Sequence, residues 1–174
     1  MMELDRLIIR RFKETDWEDL YEYLSDEEVV RFEPYEIFSK EAAKEEAVRR
    51  VNDCDFYAVC LKEDGKLIGN LYLGKCDFNT FELGYVFNKK YHKKGYAYES
   101  GRALIDDAFR NQGARRVIAM CSTNNISSWK LLERLKMRRE GLLLQNVSFK
   151  KDSSGEPIWF DTYEYAILKS EWIL

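Results

Sequence analysis

Between residues 80 and 121 the chain writes a strand pattern, a glycine turn, a helix pattern and a second strand pattern in immediate succession. No other feature constrains the fold as strongly. Thr80 to Phe87 alternates, with Phe81, Leu83, Tyr85 and Phe87 on one face and Glu82, Gly84 and Val86 on the other. That is the period of a half-buried strand. After "HKKGYAYES", Ala97, Gly101, Leu104, Ile105, Ala108 and Phe109 recur at helical spacing until Gly113 stops the run. Arg115 to Cys121 then reads as a strand. Strand, helix and strand in succession allow a parallel pairing within a sheet whose other connections are short.

The flanking segments fill out that sheet. Leu4 to Phe12 reads as an edge strand. Thr15 and Asp16 are N-cap candidates for a helix carrying Trp17, Leu20, Tyr21 and Leu24. Arg31 to Phe38 is aromatic, holds a proline and lacks periodicity, so it reads as a loop. Ser39 can cap a helix whose apolar stripe is Ala42, Ala43, Ala47, Val48 and Val51. Asp55–Leu61 and Leu67–Leu73 are strands joined by a turn at Glu63 to Lys66. Ser127–Leu135 is a short helix, and strands at about Leu142–Lys150 and Ile158–Lys169 flank a turn at Asp152 to Pro157. The expectation is one α/β domain over 1–174, a mixed, mostly antiparallel central sheet flanked by helices.

Composition excludes some classes of function. At 45% apolar and 34% charged residues the chain is globular rather than disordered. A net charge of −3 gives no basic coat for nucleic acid. No apolar run is long enough to span a membrane, and the first residues carry no signal-peptide core, so the default compartment is cytoplasmic. Cys54, Cys60, Cys76 and Cys121 show no metal-ligand spacing, and the lone His92 does not complete a zinc site. No metal is expected, and the cysteines read as reduced, mostly core-filling thiols.

The turn before the central helix has two readings. A helix N-terminus offers unpaired N–H groups and the positive end of the macrodipole, which together hold phosphate where the backbone comes close. Gly95 permits that approach, Ala97 keeps the next turn small, and Lys93 and Lys94 add charge. Neither known phosphate signature is present. A charged loop running into an amphipathic helix fits these residues equally well.

A second stretch tips the balance. "YVFNKKYHKKGYAYES" followed by "NNISSWKLLERLKM" resembles the two cofactor-binding motifs of the GNAT superfamily of N-acetyltransferases. The spelling is closest to the RimJ/RimL type, which acetylates N-termini of ribosomal proteins. Glu82-Leu83-Gly84-Tyr85 and the closing "YEYAILKSEW" fit that branch. The sequence departs from the family pattern at His92, Lys93, Lys136 and Leu132, the last standing where many members carry an acid tyrosine. The resemblance implies acetyl-CoA as cosubstrate, its pyrophosphate on His92, Lys93, Lys94, Gly95, Tyr96 and Ala97. It places the pantetheine arm on the backbone of Tyr85, Val86 and Phe87 and on Asn125. Core packing suffices for the Tyr85 and Phe87 side chains, and helix capping for Asn125 and Ser127.

The resemblance implies direct transfer, with no acyl-enzyme. Such transfer needs a neutral amine, a polarised carbonyl and a stabilised leaving thiolate. An α-amine with pKa about 7.7 to 8.0 asks on the order of 3 kcal/mol less of a base than a lysine at about 10.4. Glu82 is the candidate base, or equally an exposed strand glutamate in cross-strand pairing. Ser128 is the candidate acid, for a thiol of pKa about 8.5. The acceptor is a protein N-terminus or a small amine. Phe32 and Tyr35 of the aromatic loop are candidates to bind it, with Glu33 and Glu36 favouring a cationic one; folding that loop over the core explains it about as well. A homodimer is compatible with this reading, and the alternative function is a non-catalytic acyl-CoA-binding sensor or interaction module.

Overall fold

The computed structural model describes residues 1–172. The strands are β1 (Met2–Glu3), β2 (Leu7–Arg10), β3 (Phe56–Leu61), β4 (Leu67–Lys75), β5 (Thr80–Phe87), β6 (Arg116–Ser122), β7 (Arg138–Lys151) and β8 (Pro157–Leu168). The helices are α1 (Trp17–Leu24), α2 (Glu27–Val30), α3 (Lys40–Val51), α4 (Tyr96–Arg110) and α5 (Ile126–Arg134). The strands form one sheet in the order β1-β2-β3-β4-β5-β6-β8-β7. Neighbours are antiparallel except β5 and β6, which pair parallel through the α4 crossover.

The alternation of β5 sorts its side chains between two cores. Phe81, Leu83 and Phe87 pack with Leu104, Ile105, Ala108 and Phe109 of α4 and Leu132 of α5. Val86 points to the other face, against Leu20, Tyr23 and Leu24 of α1 and Ala47 of α3. Helices therefore cover both faces, and β3 is buried along almost its whole length. At Gly69 of β4 a side chain has no room: a Cβ would stand 2.5 Å from the Phe87 ring and 2.7 Å from the Val86 carbonyl.

The fold departs from the sequence reading in several places. The N-terminal strand is only Leu7–Arg10 and is not the edge; Met2–Glu3 turns back to cover it. Asp16 does not cap α1. Its carboxylate accepts from the Lys13 backbone N–H at 2.8 Å and pairs with Arg10 at 2.7 Å. Ser39 caps α3 as expected, accepting from Ala42 N–H at 3.1 Å. The buried face of α3 is Ala43, Ala47 and Arg50, while Val48 and Val51 are exposed. Arginine can replace valine there because Glu46, one turn earlier, accepts from its Nε at 2.7 Å. Cys60 and Cys121 are buried, but Cys54 and Cys76 are exposed, so half of the thiols fill no core.

Gly69→Ala is expected to destabilise the protein by about 1–3 kcal/mol, because one obstructing atom is backbone and cannot rotate away. Chemical denaturation checks this; an unchanged midpoint would show that β4 and β5 leave room for a side chain at this position.

Candidate active site

The site begins where β5 and β6 part. They pair at Thr80–Arg116, Phe81–Val117 and Glu82–Ile118 and no further. Beyond that point β5 follows β4 as far as Phe87, and β6 follows β8 as far as Ser122. On the side facing β6, the backbone of Leu83 to Phe87 therefore has no strand partner, and such groups need another. Gly84 stays in regular register opposite Tyr72, with no bulge, and a Cβ there would come no nearer than 3.4 Å to the Tyr72 side chain.

One mouth of the resulting cleft is a cavity of about 360 Å³ below the start of α4. Its wall includes His92, Lys93, Gly95, Tyr96 and Ala97. Gly95 has φ +86°, a left-handed conformation that turns the chain into α4, and no side chain caps that helix. The first-turn N–H groups are therefore free for an anion. The His92 side chain turns back, its Nε2 2.9 Å from the Phe87 carbonyl, so it braces the turn. The Lys94 ammonium lies 5.1 Å over the Tyr91 ring and is not part of the cavity wall. Arg6, far away in sequence, clamps the same turn. It donates to the Lys94 carbonyl at 3.0 Å, pairs with Glu99 at 2.7 Å and stacks over Tyr96.

The other mouth is larger, about 630 Å³, on the α1/α3 face. Glu82 and Tyr72 of the sheet, Tyr35 of the aromatic loop and Phe149 of β7 line it, with Arg50 behind. Arg50 is 2% exposed, stacks 4.7 Å over Phe56, and its Nη1 has no hydrogen-bond partner among the described residues. Burial alone would raise the Glu46 carboxyl, but Arg49 and Arg50 outweigh it and hold it below its ordinary range.

Between the mouths, α5 presents Ser128. Asn125 is the N-cap of α5, its carbonyl oxygen accepting from the Ser128 N–H at 3.2 Å and from Ser127 Oγ at 3.0 Å. The Ser128 hydroxyl lies 2.9 Å from the Tyr85 hydroxyl, which also donates to the Ser128 carbonyl at 3.0 Å. The Tyr85 ring packs against the core, as sequence suggested, but its hydroxyl belongs to the site. Burial pushes its phenol above the ordinary range, with Ser128 partly offsetting. Leu132, at the position of the family's usual tyrosine, is fully buried in the core. Burial also pushes the neighbouring Cys121 thiol up to about 11, so it is protonated at neutral pH and unsuited to act as a nucleophile.

The structure thus gathers Phe32, Tyr35, Glu82, Tyr85, Val86, Asn125 and Ser128 around one cleft, with His92, Lys93, Gly95, Tyr96 and Ala97 at its smaller mouth. Sequence reasoning missed Arg6, Arg50 and the Tyr85–Ser128 contact. Of these, only the Glu46–Arg50 spacing left a readable signal.

The cleft and the turn above α4 belong to a known class. The profile of the acetyltransferase (GNAT) domain matches residues 6–138. The chain belongs to that family and is an N-acetyltransferase. It is 37% identical over 172 residues to the uncharacterized N-acetyltransferase YnaD of Bacillus subtilis, covering 96% of each chain. It superposes on the GNAT-family acetyltransferase of Bacillus anthracis with a TM-score of 0.90 at 33% identity, over 98% of this chain and 99% of that one. Two more distant structures share the fold. One is a ribosomal-protein-S5-alanine acetyltransferase from Vibrio fischeri (TM-score 0.79, 20% identity, 99% and 98% covered). The other is a spermidine N-acetyltransferase from Vibrio cholerae in complex with CoA and spermine (TM-score 0.79, 17% identity, 97% and 98% covered). The family's cosubstrate is acetyl-CoA, and a cavity whose wall includes the start of α4 and Lys93 suits such a molecule.

With Cys54 and Cys76 exposed and Cys60 and Cys121 buried, a disulfide reagent is expected to find two fast thiols in the native protein and four after denaturation. Acetylation of Cys121 on incubation with acetyl-CoA would contradict its placement.

Proposed function

We propose that the protein transfers the acetyl group of acetyl-CoA by direct attack to a primary amine, of a protein N-terminus or of a small molecule. The observation that carries this reading is the hydroxyl pair of Tyr85 and Ser128, placed where the two mouths of the cleft meet. The donor enters from the α4 side, its pyrophosphate on the turn at Gly95 and its arm along Tyr85, Val86 and Phe87, with Asn125 alongside. Acetyl-CoA supplies the activated acyl group. Ser128, backed by Tyr85, gives a proton to the departing sulfur. Both hydroxyls carry their protons at neutral pH, as a phenol of ordinary pKa about 10 and an alcohol do, and burial tightens the hold of Tyr85 on its own. A backbone N–H of the splayed part of β5 serves as the donor to the carbonyl oxygen.

The acceptor enters from the larger mouth. Glu82 and Glu33 make that opening attractive to a cation, and Phe32, Tyr35 and Phe149 offer aromatic walls. A protein N-terminus is favoured by the Glu82-Leu83-Gly84-Tyr85 spelling of the RimJ/RimL type. A small polyamine is favoured by the acidic, aromatic lining. The distant Vibrio neighbours carry one such activity each. CoA release with peptides of varied first residue and with polyamines separates the two.

Gly95→Glu puts a side chain where φ is positive and a negative charge at the turn, and is expected to abolish acetyl-CoA binding by titration calorimetry. Retained binding would remove the pyrophosphate from this turn. Ser128→Ala and Tyr85→Phe are each expected to lower kcat by about 10- to 100-fold with the KM for acetyl-CoA little changed. The double variant should be barely slower than either, since the two hydroxyls act as one unit. Additive losses would mean that they work separately.

A further inference from the structure

We propose that Glu33, in the loop after α2, is the base that takes the proton of the attacking amine, while Glu82 draws the cationic amine into the cavity. The inference rests on the acetyl-transfer reading above and assigns a residue to it. Chemistry between donor and acceptor has to occur where their cavities meet. Phe32, Glu33, Tyr85, Val86, Asn125 and Ser128 border both cavities. Glu33 is the carboxylate among them; Glu82 borders the acceptor cavity alone. Glu33 and the Tyr85–Ser128 hydroxyl pair therefore line the same junction between the two cavities. That gives one opening both a candidate base and a candidate acid.

The loop holds Glu33 in place from both ends. Its own N–H donates to the Val30 carbonyl at 3.0 Å, and the Phe38 N–H donates to the Leu24 carbonyl at 3.1 Å. Tyr35 and Phe38 stack edge to face at 5.3 Å within it. The charged and titratable groups around Glu33 come from several elements. Arg49, Arg50 and Glu46 belong to α3, Glu82 and Tyr85 to β5, and Lys150 to β7. Arg31 and Tyr35 belong to its own loop, and Glu28, His92, Lys93 and Arg134 stand on the donor side. Burial dominates and pushes the Glu33 carboxyl up to about 7, with Arg50 and Tyr35 pulling partly the other way. A base of that strength is ionised over much of the neutral range and close to matched with an α-amine of pKa about 7.7 to 8.0. The neutral amine forms its N–C bond to the carbonyl carbon as the C–S bond breaks. One N–H proton passes to Glu33, which releases it to water. The sulfur takes a proton from the Ser128–Tyr85 pair, which recovers one from water.

The test has two readouts. Carbon-13 NMR of carboxyl-labelled glutamates, with the Glu33 signal assigned by its loss in Glu33→Gln, follows the ionisation without any substrate. A midpoint near 7 is expected; titration in the ordinary range near about 4.3 overturns the proposal. The pH dependence of kcat is then measured with the amine saturating, and of acetyl-CoA hydrolysis, where no amine titrates. Wild type should rise through neutral pH. Glu33→Gln should lose that limb and about 100-fold or more in kcat while still binding acetyl-CoA, and Glu33→Asp should recover part of the rate. Glu82→Gln should raise the KM for the amine and keep the limb. A limb that survives in Glu33→Gln but vanishes in Glu82→Gln overturns the assignment. Failure of the wild type to bind acetyl-CoA would sink the acetyl-transfer reading itself, and this inference with it.

Discussion

Everything in the site follows from three residue pairs. β5 and β6 are bonded from Thr80 to Glu82 and then separate, each held by its antiparallel neighbour on the far side. A sheet that opens in its middle leaves backbone donors and acceptors facing a gap, where they need partners other than a strand. The gap is flanked by the N-termini of α4 and α5, the elements that follow β5 and β6 in the chain. Ligands in α/β sheets gather at such strand ends, where positive helix ends converge.

The buried charge on the acceptor face is a second organising element. Arg50 lies under that cavity with Glu46 and Arg49 in one ion-paired cluster, its guanidinium against Phe12 and Phe56. An arginine so deeply placed is costly unless paired, and Glu46 supplies the pairing from the same helix. Its positive charge also restrains the rise of the Glu33 carboxyl. One residue thus links the packing of α3 to the ionisation of the loop above it.

Much of this was legible in the sequence. The bounds of β5 matched residue for residue because alternation between two buried faces leaves little freedom of register. The length of α4, its stop before Gly113 and the turn between β7 and β8 were equally plain, since glycine and proline punctuation fixes them. Other features escaped, Arg6 among them. The four-residue α2 has too few residues for periodicity to be seen. Arg50 looks like a solvated charge until Glu46 is recognised as its partner one turn away. The Tyr85–Ser128 contact spans 43 residues and is invisible to any local pattern. Patterns within one element were readable; contacts between elements were not.

The loop from Phe32 to Phe38 has a consequence for how such an enzyme changes its diet. It walls the acceptor side, yet Glu33 within it borders the donor side as well. Loops vary more freely than the scaffold that carries them, and they also carry a large share of binding and catalytic residues. On the assignment proposed above, a shift in this loop that admits a bulkier amine also moves the carboxylate that serves as base. Selectivity and speed are therefore harnessed to the same few residues. New preferences arise more cheaply from the β7–β8 hairpin, which touches the acceptor cavity through Val147 and Phe149 and stays clear of the donor.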